Sequence, residues 1–253
     1  MLSRELISLH EAPREVPPFS ERYPGLTPAA GYEAAHALHE HRMRMGWRPL
    51  GRKIGFTNRT LWQRYGVHEP MWGTVYDRTL IMAGANRARV PLAGLVNPRI
   101  EPEICFKLRK PPEPGRLLDS IEWMAHSIEI VQCHHPRWKV TIADCTADNG
   151  LHGRLIVGDA VPLPPDVEAR LPSVVVELFK ETQLIDRGVG ANVLGSPLLA
   201  LGYLLDLLKG QPLAAGEIVT TGVLTDAHPV APGERWSTRF SGLPLPGLAV
   251  EFA

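Results

Sequence analysis

Cysteine is scarce in this sequence: Cys105, Cys133 and Cys145 are the only three in 253 residues. They form no CxxC pair and cannot all be bridged, which argues against a disulfide scaffold or a zinc ribbon. Buried free thiols in a reducing cytoplasm are expected instead. Net charge is also missing, since 27 basic side chains face 27 acidic ones. No global field therefore draws the chain to nucleic acid or to an anionic membrane. No run approaches the roughly 20 apolar residues of a membrane span. The opening MLSRELISLHEAPREVPPFSER lacks the continuous apolar segment of a secretory leader. Internal repeats and low-complexity tracts are absent too. What is present, 44% hydrophobic and 21% charged residues, is ordinary for one large globular domain with at most a small appendage.

Residues 1–12 read as a short helix broken by Pro13, Pro17 and Pro18. A longer helix is predicted over 27–45, with Thr27 as N-cap, Pro28 in its first turn and Gly46 as stop. Another short helix is expected over 58–65. From residue 74 the pattern changes to short runs of Val, Ile, Leu and Thr between prolines and glycines. These runs predict strands at 79–82, 99–108, 127–132, 155–157, 173–180, 218–221 and 248–252. Helices are expected to interrupt them at 118–125 and 196–209, and the polar stretch 144–153 reads as a loop. The predicted class is α+β, with a helical N-terminal lobe (1–73) before a mainly β domain (74–253).

In Arg99-Ile100-Glu101-Pro102-Glu103-Ile104, strand alternation turns Glu101 and Glu103 to one face and the isoleucines to the other. Neighbouring carboxylates repel, and a hard dication such as Mg²⁺ or Mn²⁺ relieves that repulsion. The plainer alternative is a solvated strand face. Glu129 lies in the apolar run 127–131, where an unpaired carboxylate is costly. It completes a three-carboxylate ligand set, pairs with an arginine, or sits on an exposed edge. Lys53, between Gly51 and Gly55, can bind a carboxylate or, with a lowered pKa, move protons. Otherwise it is a surface lysine in a turn. His152 titrates near neutrality and is a candidate acid or base, set against an ordinary structural histidine. The remaining histidines, His134 and His135 included, lack the spacing of a zinc site.

Seven segments together resemble the fumarylacetoacetate hydrolase superfamily, in its 2-oxopent-4-enoate hydratase and 4-oxalocrotonate decarboxylase branch. They are GRKIGFT (51–57), YGVHEPMWGTV (65–75), PRIEPEI (98–104), IEIV (128–131), DCTADN (144–149), GANVLGSPLLAL (190–201) and GEIVTTGVLT (216–225). They keep the family order from about residue 23 onward. The resemblance implies a mixed β-sheet roll with a helical N-terminal lobe, and Mg²⁺ or Mn²⁺ on Glu101, Glu103 and Glu129. It places the family's active-site lysine at Lys53 and a substrate-facing loop at Asp148 and Asn149. Ser196 then starts a helix lining the same cleft, and the assembly is expected to be a homo-oligomer, a dimer or larger. There are departures: Gly150, Leu151 and His152 replace small or hydroxyl residues. Ser196 stands where relatives often carry His or Asn, and an aspartate typical of hydratases falls one residue after the position of Asp77.

The activity expected from the resemblance is hydration of a 2-hydroxy-2,4-dienoate, ketonised first so that the remaining double bond is conjugated to the carbonyl, and then attacked by water at the distal carbon of that double bond. Lys53 would position substrate and transfer protons, with His152 as its partner. The alternative is decarboxylation of a 2-oxo-3-enedioate, which needs a cation such as Arg59 or Arg154 for the second carboxylate. A weakened relative that only senses a 2-oxo acid is a third reading, because fold does not dictate function.

Overall fold

The structure, a computed structural model, describes residues 1–208 and 210–253, with all side chains except those of Leu61, Arg64 and Tyr65. Three helices open the chain: α1 (Leu2–Glu11), α2 (Phe19–Arg22) and α3 (Pro28–Arg44). The Thr27 hydroxyl accepts from the Ala30 amide, capping α3 as its sequence predicts, and Gly46 follows at φ 77°. Next come β1 (Pro49–Gly55), α4 (Trp62–Tyr65), β2 (Met71–Tyr76), β3 (Leu80–Met82) and β4 (Arg87–Val90). The middle of the chain forms β5 (Arg99–Leu108), β6 (Ile121–Val131), α5 (Ile142–Ala147), β7 (His152–Val157) and α6 (Val167–Arg170). The last third holds β8 (Val175–Lys180), β9 (Gln183–Val189), α7 (Pro197–Leu207), β10 (Ile218–Thr220), β11 (His228–Pro229), β12 (Arg235–Ser241) and β13 (Ala249–Phe252).

Two mixed sheets result. The larger runs β2-β1-β10-β5-β6-β7-β3, with β11 also paired to β5; the smaller runs β4-β13-β12-β8-β9. Parallel pairs (β1 with β10, β3 with β7, β4 with β13) interrupt otherwise antiparallel ladders. Alternation sends Ile100, Ile128, Ile130 and Ile156 of the large sheet against Leu178, Trp236, Val250 and Phe252 of the small one, closing a core between them. The opposite side of β5 and β6 carries the carboxylates. No helix among the described residues is long and apolar enough to cross a membrane.

Three expectations need correction. Residues 118–125 do not form a helix. After a 3₁₀ turn at Leu117–Ser120 the chain enters β6, because Ile121 onward pairs with β5 along its whole length. Nor is 144–153 a polar loop: Thr141 and Asp144 form a reciprocal capping box that starts α5, and residues 143–153 are all buried. The boundary at residue 73 falls inside β2, and β1 joins the large sheet, so the helical lobe stops before residue 49. β1, β2, β4, β9, β11 and β12 were not foreseen; glycines, prolines and charges dilute their apolar alternation. The helix expected over 196–209 ends at Leu207, and its final residue, Lys209, lies outside the described residues. All three cysteines are free and buried, as expected.

Candidate active site

The antiparallel register of β5 and β6 sets Glu101 directly across from Glu129 and Glu103 across from Ser127. Two-residue alternation then brings three carboxylates to one face. One oxygen from each of Glu101, Glu103 and Glu129 lies within 4.8 Å of the others. Glu103 and Glu129 are fully buried, whereas Glu101 is partly exposed. Lys53, on β1 and 2% exposed, puts its Nζ 3.2 Å from Glu129 Oε2.

Each buried carboxylate has one oxygen fixed by aligned hydrogen bonds. Glu103 Oε2 accepts from the Thr220 hydroxyl and from the Gly222 amide at 2.9 Å, while its Oε1 has no hydrogen-bond partner among the described residues. Glu129 Oε1 accepts from His152 Nδ1 at 2.8 Å, and its Oε2 makes no aligned hydrogen bond despite the nearby ammonium. Gly222 has a reason to be glycine: its φ is 97°, and a Cβ there would lie 1.9 Å from Thr57 Oγ1.

Electrostatics follow from this crowding. Burial and then the Glu129 charge push the Glu101 carboxyl up to about 7, and the same causes with Glu101 raise Glu103 well above its ordinary value. Burial also acts upward on Glu129, but Lys53 and the His152 hydrogen bond outweigh it and hold that carboxyl below the usual range. Lys53 shows the converse. Burial pulls it down, yet the three carboxylates prevail and its pKa is raised, so it is an ammonium rather than the lowered-pKa amine considered from the sequence. Three crowded carboxylates, one with a buried oxygen lacking any partner and one with an oxygen faced only by the Lys53 ammonium, fit a hard divalent cation.

Through Lys53 and Glu101 the cluster opens on a cavity whose empty space, counted out into solvent at its mouth, is about 650 Å³. Lys53, Glu101 and Asn58 are polar members of its lining; Phe56, Met71, Trp138, Val140, Leu151 and Val223 form apolar walls. Trp138 is fixed by its Nε1–H bond to the Asn97 carbonyl at 3.1 Å and by the Arg99 guanidinium 4.2 Å over its ring. Both Arg137 and Trp138 take positive φ, 57° and 56°, a strained backbone for non-glycine residues beside a cavity.

Of the residues singled out from the sequence, Lys53, Glu101, Glu103 and Glu129 converge here. His152 is buried behind Glu129 and is absent from the cavity lining, its Nε2 2.9 Å from Thr79 Oγ1. Asp148 is sealed in a separate cluster, bonded to His10 Nε2 at 2.8 Å and His134 Nδ1 at 2.7 Å. Those partners overcome its burial and hold its carboxyl well below the usual range. The Asn149 amide bridges the Thr74 amide and carbonyl, and Ser196 caps α7 through the Leu198 amide. None of these three side chains lines the cavity. Asp77 pairs with Arg48 at the surface, Arg59 donates to the Tyr203 hydroxyl, and Arg154 donates to the Gly153 and Ala93 carbonyls. The clamps Thr220 and Gly222 and the wall residue Trp138 escaped the sequence reading. The first two lie inside the motif GEIVTTGVLT, but nothing local assigns them a partner.

A 2-hydroxyhexa-2,4-dienoate hydratase of Comamonas testosteroni is 32% identical over 239 residues, covering 91% of this chain and 89% of the relative. The chain belongs to the hydratase and decarboxylase branch of the fumarylacetoacetate hydrolase superfamily. A 4-oxalocrotonate decarboxylase of Pseudomonas sp. (strain CF600) is 28% identical over 236 residues, covering 90% of this chain and 88% of that one. Among solved structures, the 4-oxalocrotonate decarboxylase from Pseudomonas putida G7, complexed with magnesium and adipate, superposes with a TM-score of 0.90 at 26% identity. That match covers 100% of this chain and 96% of the other. No family model matches the chain. The mixed-sheet fold is thus the family's own.

Proposed function

We propose that this protein is a divalent-metal-dependent hydro-lyase that adds water to a 2-hydroxy-2,4-dienoate or its 2-oxo tautomer. One observation carries the reading: Glu103 and Glu129 are each clamped through one oxygen, leaving Glu103 Oε1 buried without a partner and Glu129 Oε2 faced only by the Lys53 ammonium, both converging with Glu101. Mg²⁺ or Mn²⁺ held by these three residues would supply Lewis acidity toward the carboxylate and C2 oxygen of a 2-oxo acid. The names of the relatives, hydratases of short dienoates among them, support the same class.

The chain's own groups account for the rest. Lys53, kept as an ammonium by its acidic neighbours, can give a proton to the distal carbon of the dienol as it ketonises. The amine so formed can take a proton from water as its oxygen attacks C4 of the conjugated double bond, and the ammonium so restored can protonate C3 of the resulting enolate, the proton shed by the 2-hydroxyl returning to the amine from solvent. Phe56, Met71 and Trp138 restrict water and accept an uncharged tail. Asp148, Asn149 and Ser196 serve the site indirectly, by fixing the backbone and helix around it. Three buried free thiols and a small-acid substrate suit a cytoplasmic enzyme, and we assign it there as a homo-oligomer.

Decarboxylation of a 2-oxo-3-enedioate is the second reading, favoured by the close superposition on a decarboxylase. Against it, Arg59 and Arg154 are absent from the cavity lining, where Lys53 is the one cation among the described residues. A spectrophotometric screen decides between them. Short dienoates should lose their ultraviolet band only with Mg²⁺ or Mn²⁺ and without releasing carbon dioxide. Carbon dioxide release from an enedioate would establish the second reading, and binding without band loss would reduce the protein to a sensor.

A further inference from the structure

His152 and Thr79 do not line the cavity beside the cluster, yet they form a hydrogen-bonded chain ending on a cluster carboxylate. His152 Nδ1 lies 2.8 Å from Glu129 Oε1, its Nε2 lies 2.9 Å from Thr79 Oγ1, and all three side chains are buried. A carboxylate acceptor requires the proton on Nδ1, so in a neutral ring Nε2 can only accept, and the Thr79 hydroxyl, 2.9 Å from Nε2 and 3.1 Å from the Tyr76 carbonyl, shares its proton between the two. Thr79 is itself fixed, its oxygen accepting from the Tyr76 amide at 3.0 Å. The chain is therefore anchored in the turn between β2 and β3 and reaches across to β6.

We propose that His152 and Thr79 are positioning residues that hold Glu129 by Oε1, so that Oε2 stays turned toward Glu101 and Glu103 for a divalent ion. This rests on reading the three carboxylates as an ion site. Two features favour the role over simple core filling. The clamp takes one oxygen and leaves the other without a hydrogen bond, the same division that Thr220 and Gly222 impose on Glu103. Lys53 also lies within 3.2 Å of the free oxygen, so an unclamped Glu129 could rotate to give both oxygens to that ammonium and none to an ion. Partners that orient ligand side chains in this way commonly set metal affinity.

The test is Mn²⁺ binding, read from the electron paramagnetic resonance signal of free Mn²⁺, on wild type, His152→Ala, His152→Asn, Thr79→Val and Thr79→Ser. Circular dichroism in chelator verifies that each variant is folded. His152→Ala should weaken binding about 10- to 100-fold. His152→Asn, which keeps a donor near the Nδ1 position, should recover part of the loss. Thr79→Val should weaken binding by a smaller factor, Thr79→Ser should match wild type, and excess Mn²⁺ should restore turnover in the weakened variants. Folded His152→Ala or Thr79→Val protein with the wild-type Mn²⁺ constant would overturn the proposal alone. A wild type that binds no Mn²⁺ would overturn the ion site and this inference together. If His152→Ala does not fold, the asparagine and valine variants decide.

Discussion

Replacing Glu101 by glutamine should make the metal-free protein more stable. Burial and the charge on Glu129 push the Glu101 carboxyl up to about 7 from an ordinary 4.5. A carboxyl raised on folding favours the native state only while protonated. Its contribution is full below pH 4.5 and is lost as pH climbs to about 7. The gap amounts to about 3 kcal/mol of destabilisation at alkaline pH. For a chain of this size that is about 6–12 °C in Tm. Glutamine keeps the shape without the charge and should recover much of it. A bound ion should reverse the order, because at 100 times its Kd it stabilises wild type by about 2.7 kcal/mol, and the amide is a poor ligand for it. Thermal melts in EDTA and in MnCl₂, at acid and at mildly alkaline pH, measure all four cases. Glu101→Gln should melt higher than wild type in alkaline EDTA, equal it in acid, and gain little from Mn²⁺. A variant less stable than wild type in alkaline EDTA, or one with the full Mn²⁺ gain, would refute the account of three mutually repelling carboxylates.

Other perturbations test the scaffold around the site. His10 and His126 are each pushed down to about 4 by burial, so acid protonates the unfolded chain first. Stability should then fall by about 1.4 kcal/mol per pH unit per imidazole as pH drops from 6.5 toward 4. Urea midpoints should show His126→Asn losing its share of that slope. Asp148→Asn keeps one acceptor oxygen but replaces the other, and the charge, with an NH2 donor facing His10 or His134, and should cost about 3 kcal/mol of unfolding free energy in a urea titration. Because Asp148 does not reach the cavity, KM should stay near the wild-type value; a large rise in KM with normal stability would return it to the substrate site. Gly222→Ala forces a Cβ against Thr57 at a φ of 97° and should lower stability by about 2 kcal/mol or more, with loss of Mn²⁺ binding, both measurable on one set of melts.

Much of the local structure was legible because its signals are local. Thr27, Pro28 and Gly46 bound α3 through one turn's hydrogen bonds, and the alternation of Ile100, Ile104, Phe106 and Leu108 with polar positions names the strand at 99–108. β1 was not legible, since Pro49, Gly51 and Gly55 hide a strand whose pairing comes from β10 and β2 far along the chain. The capping box at Thr141 and Asp144 was present in the sequence but masked by the polar, small residues that follow it. Residues 118–125 read as helix because apolar spacing alone does not separate a helix from a strand buried on both faces.

The sequence by itself determined that Glu101 and Glu103 share a face, since side-chain alternation is a property of one strand, and its family motifs pointed to Glu129 and Lys53. Only the tertiary structure decided which groups clamp those carboxylates, and that His152, Asp148 and Ser196 stand behind the site or apart from it. Contacts across 23 or 117 residues of chain, as for His152 to Glu129 and Thr220 to Glu103, arise from sheet register and packing. No local pattern encodes which side chain will face which across a ladder.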